Sequence, residues 1–281
     1  MRIKINSDST CDLSPELLKE NDIGIVPLTI VKGDSNFSDG IDIVPADIFA
    51  RVESGGGLCS TTAVNIGEYR AVFEKLSKEY DAVVHINIGA EFSACHQNAL
   101  IAAGDYPNVY VVDSMNLSSG QGHIVLEACA LAKSCTDVGA MCVELRELAT
   151  RVEASFLLSR LDYMVKGGRC SSVMALGANI LHLKPCIEVK NGKMQVVKKY
   201  RGGFAKCLSE YVRDRLDERD DIIRDRIFIT HTPVREDDLS AAKETVGKYG
   251  HFEQVFETDA GCTVACHCGP GTLGVLFIRK S

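Results

Sequence analysis

Residues 82–114 read AVVHINIGAEFSACHQNALIAAGDYPNVYVVDS, and their pattern decides the fold class. Residues 82–88 form a short, mostly apolar run of the kind that a strand buried on both faces requires. From Ser93 the chain reads as helical, and residues 109–112 return to a strand that ends at Asp113-Ser114. Working outward, Ile3 and Ile5 open an earlier strand. Residues 23–31 read as another, with Pro27 arguing for an edge or a break. Asn65 and Glu68 stand at capping-box spacing, and Ile66, Tyr69, Phe73 and Leu76 follow at helical intervals. Helices are predicted over residues 120–133 and 138–152. Strand and helix in alternation predict an N-terminal doubly wound, mostly parallel sheet.

The second half has a different rhythm. Residues 186–190 and 193–198 flank Asn191-Gly192, the strongest short hairpin signal. Helices are predicted near residues 204–217 and 238–249, with strands near 226–230, 252–257 and 273–278. A hairpin beside helices predicts a C-terminal α+β domain. The expected division is residues 1–160 and 161–281, with the ligand between the two domains.

The totals exclude several function classes. The chain has 281 residues, 46% hydrophobic and 25% charged, with a net charge of −7. An acidic chain offers no global basic field for nucleic acid or an anionic membrane. The N-terminus has no apolar leader, and no stretch reaches the ~20 apolar residues of a membrane span. Twelve cysteines are scattered along the chain. Scattered thiols without an export signal point to reduced cysteines in a cytoplasmic protein, most of them small apolar filler. The expectation is a monomer.

Short hydroxyls recur at strand ends and helix starts: Ser7 to Thr10, Ser60-Thr61-Thr62, Ser93, and Asp113-Ser114 with Ser118-Ser119. Such places combine hydroxyls with unpaired N–H groups, which suit a carboxylate or phosphate. Each one singly is more often a helix cap. Gly167-Gly168-Arg169 reads as a sharp turn presenting a cation, and Lys198, Lys199, Arg201 and Lys206 form a local basic cluster. Cys262, Cys266, His267 and Cys268 are potential metal ligands, but their spacing is not the usual Cys-x-x-Cys. If this segment is a strand, Cys266 and Cys268 face one way and His267 the other. No metal is expected. The nucleophile motif Gly-x-Ser-x-Gly and the phosphate loop Gly-x-x-x-x-Gly-Lys-Ser/Thr are both absent from the sequence.

Taken in order, these segments resemble the DegV family of bacterial fatty-acid-binding proteins. The resemblance is carried by Asp8-Ser9-Thr10 with Asp12-Leu13, Thr61-Thr62, Phe92-Ser93, Asp113-Ser114 and Ser118-Ser119-Gly120. It continues through Leu161, Gly167-Gly168-Arg169, Leu183-Lys184-Pro185, Arg201 and His267 with Gly269-Pro270-Gly271. Ala63-Val64 stand where the family has Gln-Pro, and Ala94-Cys95 where it has Gly-Thr. The resemblance implies a long-chain fatty acid in a buried tunnel, its carboxylate held by Thr61, Ser93 and His267. Thr62, Ser114, Arg169 and Arg201 complete the ligand-binding candidates. It further implies no cofactor, no catalysis by this chain alone, and delivery of the fatty acid to a separate fatty-acid kinase. The alternative is a serine-type acyl hydrolase using Ser93 and His267 with an acid such as Asp113. A third reading is a metal or redox sensor on Cys262, Cys266 and Cys268.

Overall fold

A computed structural model describes residues 1–175 and 183–280. The first half runs β1 (Ile3–Asp8), a 3-10 turn (Ser9–Cys11), α1 (Pro15–Glu20), β2 (Gly24–Val26), β3 (Thr29–Lys32), β4 (Ser35–Ser38) and α2 (Pro45–Glu53). It continues with β5 (Ser60–Thr62), α3 (Ile66–Glu79), β6 (Ala82–Asn87), α4 (Cys95–Ala103), β7 (Val109–Asp113), α5 (Ser119–Ala132) and α6 (Val138–Ala149). Then follow β8 (Val152–Leu158), α7 (Asp162–Gly167), α8 (Ser171–Met174), β9 (Leu183–Lys190), β10 (Lys193–Arg201) and α9 (Phe204–Leu216). The chain closes with β11 (Ile222–His231), α10 (Glu236–Tyr249), β12 (Gln254–Asp259), α11 (Cys262–Cys268) and β13 (Thr272–Arg279).

Three sheets organise these elements. A four-stranded sheet in the order β2-β1-β6-β7 is parallel throughout. A six-stranded sheet in the order β10-β9-β8-β13-β11-β12 is antiparallel except for the β11–β12 pair. A small antiparallel sheet, β4-β3-β5, lies beside the first. The expected α/β class, with a parallel sheet first and a sheet-plus-helix C-terminal part, is the observed architecture.

Helix α5 is the wall between the two large sheets, touching β1 and β6 on one side and β8 and β13 on the other. Its residues from Ser119 to Leu126 are all buried, as a helix sandwiched on both sides must be. One large apolar core therefore runs continuously through both sheets, from Val84 and Ile86 through Ile124 and Val125 to Phe228 and Leu276. A second core lies under α9 and α10 on the far face of the six-stranded sheet.

The local signals read from sequence are visible in the structure. Asn65 and Glu68 exchange both capping-box bonds at the start of α3, at 3.0 and 2.8 Å. Asn191 and Gly192 both have positive φ and close the β9–β10 hairpin, the primed turn that matches strand twist. The single strand expected over residues 23–31 is instead two. Pro27, which cannot donate to a ladder, divides β2 of the parallel sheet from β3 of the small sheet. The helix expected to reach Val152 stops at Ala149, and Val152 begins β8.

The conditional strand reading of the Cys262 segment is also corrected, because Cys262–Cys268 is a helix. Its N-terminal N–H groups are captured from far away in sequence. Cys262 N–H and Thr263 N–H donate to the Asp39 carboxylate at 2.9 and 3.2 Å, and the Thr263 hydroxyl donates to it at 2.6 Å. Gly261 N–H donates to Asp12 at 3.0 Å. The Asp39 carboxylate also faces the positive end of the helix dipole. Asp39→Ala removes an acceptor for several donors in a buried place, and should lower the unfolding free energy by about 2–3 kcal/mol. Urea denaturation of the two proteins measures this. A difference near zero would mean that the helix start is satisfied in another way.

Candidate functional site

The candidate site lies beyond the C-terminal end of β6, where open parallel sheets place ligands. Thr61 comes from β5, Ser93 from the loop between β6 and α4, Arg169 from the turn after α7, and His267 from the last turn of α11. These four side chains line one cavity of about 220 Å³. Its remaining wall is largely apolar, including Leu28, Ile88, Phe92, Leu117, Met164 and Met194.

The cavity shares lining residues with two neighbouring voids of different character. Leu117, Val264 and Cys268 are shared with a narrow void of about 30 Å³ reaching Ala154, Phe156, Val189 and Leu276 between the sheets. Outward, Thr61, Arg169 and His267 are shared with an open cavity of about 340 Å³ that adds Lys166. Hydrogen-bonding side chains thus stand at the mouth, while the inner void is lined by apolar side chains together with hydroxyls already bonded within the scaffold, such as those of Ser118, Ser155, Thr230, Thr232 and Thr272.

Thr61 and His267 are joined directly, with Oγ1 and Nε2 2.9 Å apart. Nδ1 of His267 is buried without a hydrogen-bond partner among the described residues. A Cβ on Gly167 would come within 2.5 Å of that atom, so α7 passes the imidazole only because residue 167 has no side chain. A histidine in the last turn of a helix is ordinarily favoured as a cation. Here burial, helped by the nearby Arg169 guanidinium, wins and lowers its pKa from 6.5 to about 4. The imidazole is therefore neutral at pH 7.

Arg169 is exposed at the mouth, and its Nη1 donates to the Gly167 carbonyl at 2.6 Å. The Ser93 hydroxyl donates to the Cys95 sulfur at 3.1 Å and accepts from Cys95 N–H at 3.3 Å. Ser93 therefore also serves as a local cap, closing the turn into α4 while lining the cavity.

The other candidates lie elsewhere. Thr62 is exposed on β5, paired with Thr29. Ser114 is fully buried, and its hydroxyl donates to the Asn116 carbonyl and accepts from Asn116 N–H, closing a turn. Arg201 is exposed at the end of β10, opposite Leu183. None of the three lines the cavity that holds Thr61 and His267. Alternation along a strand explains Thr62: its neighbour Thr61 points to one side of β5, so Thr62 points to the other.

Other hydroxyls of the sequence pattern are spent on the scaffold. Ser7 donates to the Ile86 carbonyl, Thr10 to Gln121, Ser9 to Asp39 and Ser118 to Asp12. Asp8 is the centre of a buried network, accepting from Tyr69 at 2.6 Å, from Asn87 at 3.1 Å and from Ile88 N–H at 3.0 Å. His85 adjoins the same carboxylate at 3.2 Å. This network fixes the chain as it leaves β6 for the site.

The hydrolase geometry does not form. Among the described residues Ser93 makes no hydrogen bond to His267, and Asp113 accepts from the Ala90 and Met115 N–H groups. The sulfur ligand set does not converge either. Cys262 donates to the Ile43 carbonyl, Cys266 lies against Cys59, and Cys268 lines the inner cavity. Among the described residues no three His, Cys, Asp or Glu side chains gather to hold a metal ion.

The depressed His267 pKa has a defined consequence for stability. The unfolded chain takes up a proton near pH 6.5 while the folded chain resists until about 4. The contribution is intact above 6.5 and lost as pH falls toward 4. Relative to His267→Gln, the protein should lose unfolding free energy progressively over that window. A flat difference between the two from pH 7 to pH 4 would show that burial leaves the imidazole unperturbed.

Comparisons with known proteins extend over nearly the whole chain. The sequence model of the DegV family matches residues 2–280. A DegV domain-containing protein of Clostridium acetobutylicum is 30% identical over 284 residues, covering 99% of each chain. The solved structure of a DegV family protein from Thermus thermophilus, described for its fatty acid binding, superposes with a TM-score of 0.90. It is 26% identical, covering 99% of this chain and 100% of that one. A stearic acid-binding protein of Eubacterium ventriosum superposes with a TM-score of 0.85 at 25% identity, covering 99% and 98%. With a family model spanning all but its terminal residues and relatives aligned end to end, this chain belongs to the DegV family.

Proposed function

We propose that this protein binds one long-chain fatty acid, with the carboxylate at Thr61, Ser93, Arg169 and His267 and the tail directed inward past Leu117 and Val264. The observation that carries the reading is the polarity of the cavity: hydrogen-bonding groups at the mouth and an apolar path behind them. The relatives described as binding a fatty acid, one of them stearic acid, support it.

The energetics are of the right size. Burying a methylene contributes about 0.8 kcal/mol, so about fifteen of them gross roughly 12 kcal/mol. Ordering the chain and losing its free translation return part of this. A desolvated carboxylate is costly unless it is paired and hydrogen-bonded. Arg169 supplies the charge, and the hydroxyls of Thr61 and Ser93 supply donors. With the imidazole proton on Nε2, His267 donates to Thr61 Oγ1 and leaves the Thr61 hydroxyl proton free for the carboxylate.

In this reading the chain is a carrier rather than an enzyme. It acts as a cytoplasmic monomer and presents the carboxylate at the mouth to a separate fatty-acid kinase. The open outer cavity with Lys166 and Arg169 leaves the head group approachable, and the twelve free thiols suit a reducing compartment.

Native mass spectrometry of the purified protein should show one bound acyl chain, and a protein that binds no fatty acid of any length would refute the reading. Thr61→Val and Arg169→Ala should each weaken stearate binding by about 1–3 kcal/mol. Thr62→Val and Arg201→Ala should leave it unchanged. Calorimetric titration separates the two groups, and equal losses in both would place the carboxylate elsewhere.

A further inference from the structure

One pair of side chains beside the site has no part in binding an anion. Cys59 immediately precedes β5, and Cys266 immediately precedes His267 on α11. Their thiols are mutual neighbours. Both belong to the small apolar core that joins β3, α2 and α7 to α11, with Ile30, Ile48, Phe49 and Tyr163. Both also line the open outer cavity of about 340 Å³, beside Thr61 and His267. The next thiol on the same face, Cys262, is committed to the Ile43 carbonyl at 3.3 Å. The pairing is therefore specific: two thiols from segments far apart in sequence, facing each other at the edge of a solvent-connected cavity.

We propose that Cys59 and Cys266 form a thiol-modification site, a dithiol that closes to a disulfide when it meets a low-molecular-weight disulfide. Cys59 is the entry thiol. Burial raises its pKa, but the nearby Arg51 and Lys32 oppose that rise, so of the two thiols Cys59 ionises the more readily. The thiol of Cys266 is raised more strongly, again by burial. The Cys59 thiolate attacks one sulfur of the reagent, forming a mixed disulfide and releasing one small thiolate, which takes up the proton lost by Cys59. The Cys266 sulfur, giving its proton to solvent, then attacks the Cys59 sulfur. The second small thiolate leaves and is protonated. The protein dithiol is oxidised by two electrons, and one reagent disulfide is reduced to two thiols.

The bond would lie in parallel with the Thr61–His267 hydrogen bond, since each cysteine is within two residues of one partner of that bond. Closing it would tie β5 covalently to α11 across the mouth. If the fatty-acid reading is right, the disulfide is a latch that slows exchange of the bound chain.

The test uses the reduced full-length protein and glutathione disulfide, followed by acid quenching, unfolding, alkylation and peptide mapping. Free thiols should fall from twelve to ten, with the Cys59 and Cys266 peptides joined and both restored by dithiothreitol. Cys266→Ser should stop at the mixed disulfide on Cys59, and Cys59→Ser should keep its remaining thiols. A persistent mixed disulfide in the unaltered protein, a different joined pair, or oxidation that spares both residues overturns the proposal. Dissociation of bound stearate should be slower after oxidation, and an unchanged rate overturns the latch. A protein that forms the crosslink yet binds no fatty acid of any length would sink the fatty-acid reading alone and leave the thiol site standing.

Discussion

The site depends on how one short helix is held. Helix α11 has seven residues, too few to be stable on their own. It belongs in sequence to the six-stranded sheet, lying between β12 and β13, yet it packs on α2, α7, β3 and β5. Asp39 and Asp12, both from the first fifty residues, take its N-terminal N–H groups. The opposite end delivers His267 to Thr61. The same contact that satisfies the helix start therefore joins the two halves of the chain, and the cavity mouth is built at that junction.

The cost of this arrangement is visible in Asp12. Burial raises its carboxyl to about 8, against the pull of its bonds from Ser118 and Gly261. Desolvation outweighs hydrogen bonding there, as it does at His267. The site thus sits in a region that disfavours buried charge, while the Arg169 guanidinium stands at the exposed rim. An anion entering such a place gains from the rim cation and the hydroxyls only if its remainder is apolar enough to stay inside. In the proposed reading, this favours a molecule with a charged head and a long hydrocarbon tail over a small polar metabolite.

The turn after α11 shows how tightly the junction is packed. Gly269 and Gly271 both have positive φ, and a Cβ at either would strike Tyr163 or Ser159. The Gly-Pro-Gly sequence thus lets β13 start directly from the end of the helix, and β13 then pairs with both β8 and β11.

Much of the scaffold was legible because its signals are local. The buried runs at β6 and β7, the Asn65–Glu68 cap and the Asn191-Gly192 turn each depend on neighbours within a few residues. Pro27 marked a break, although a break between two different sheets could not be read from one residue. The helix at Cys262–Cys268 was not legible because its seven residues show neither period clearly, and because its capping group, Asp39, lies 223 residues away. The hydroxyl-rich segments were recognisable as polar ends, but their chemistry was not. Ser7, Thr10 and Ser114 face the interior and are consumed there.

The sequence by itself determined the alternation of elements, the parallel and antiparallel halves and the family to which the motifs point. The elements follow from backbone preference and apolar periodicity, which act over a few residues, and the family follows from the motifs taken in order. Only the tertiary structure decided that Thr61, Ser93, Arg169 and His267 share one cavity while Thr62, Ser114 and Arg201 do not. That choice depends on where separate elements pack, and on which face of each is left toward the gap between them.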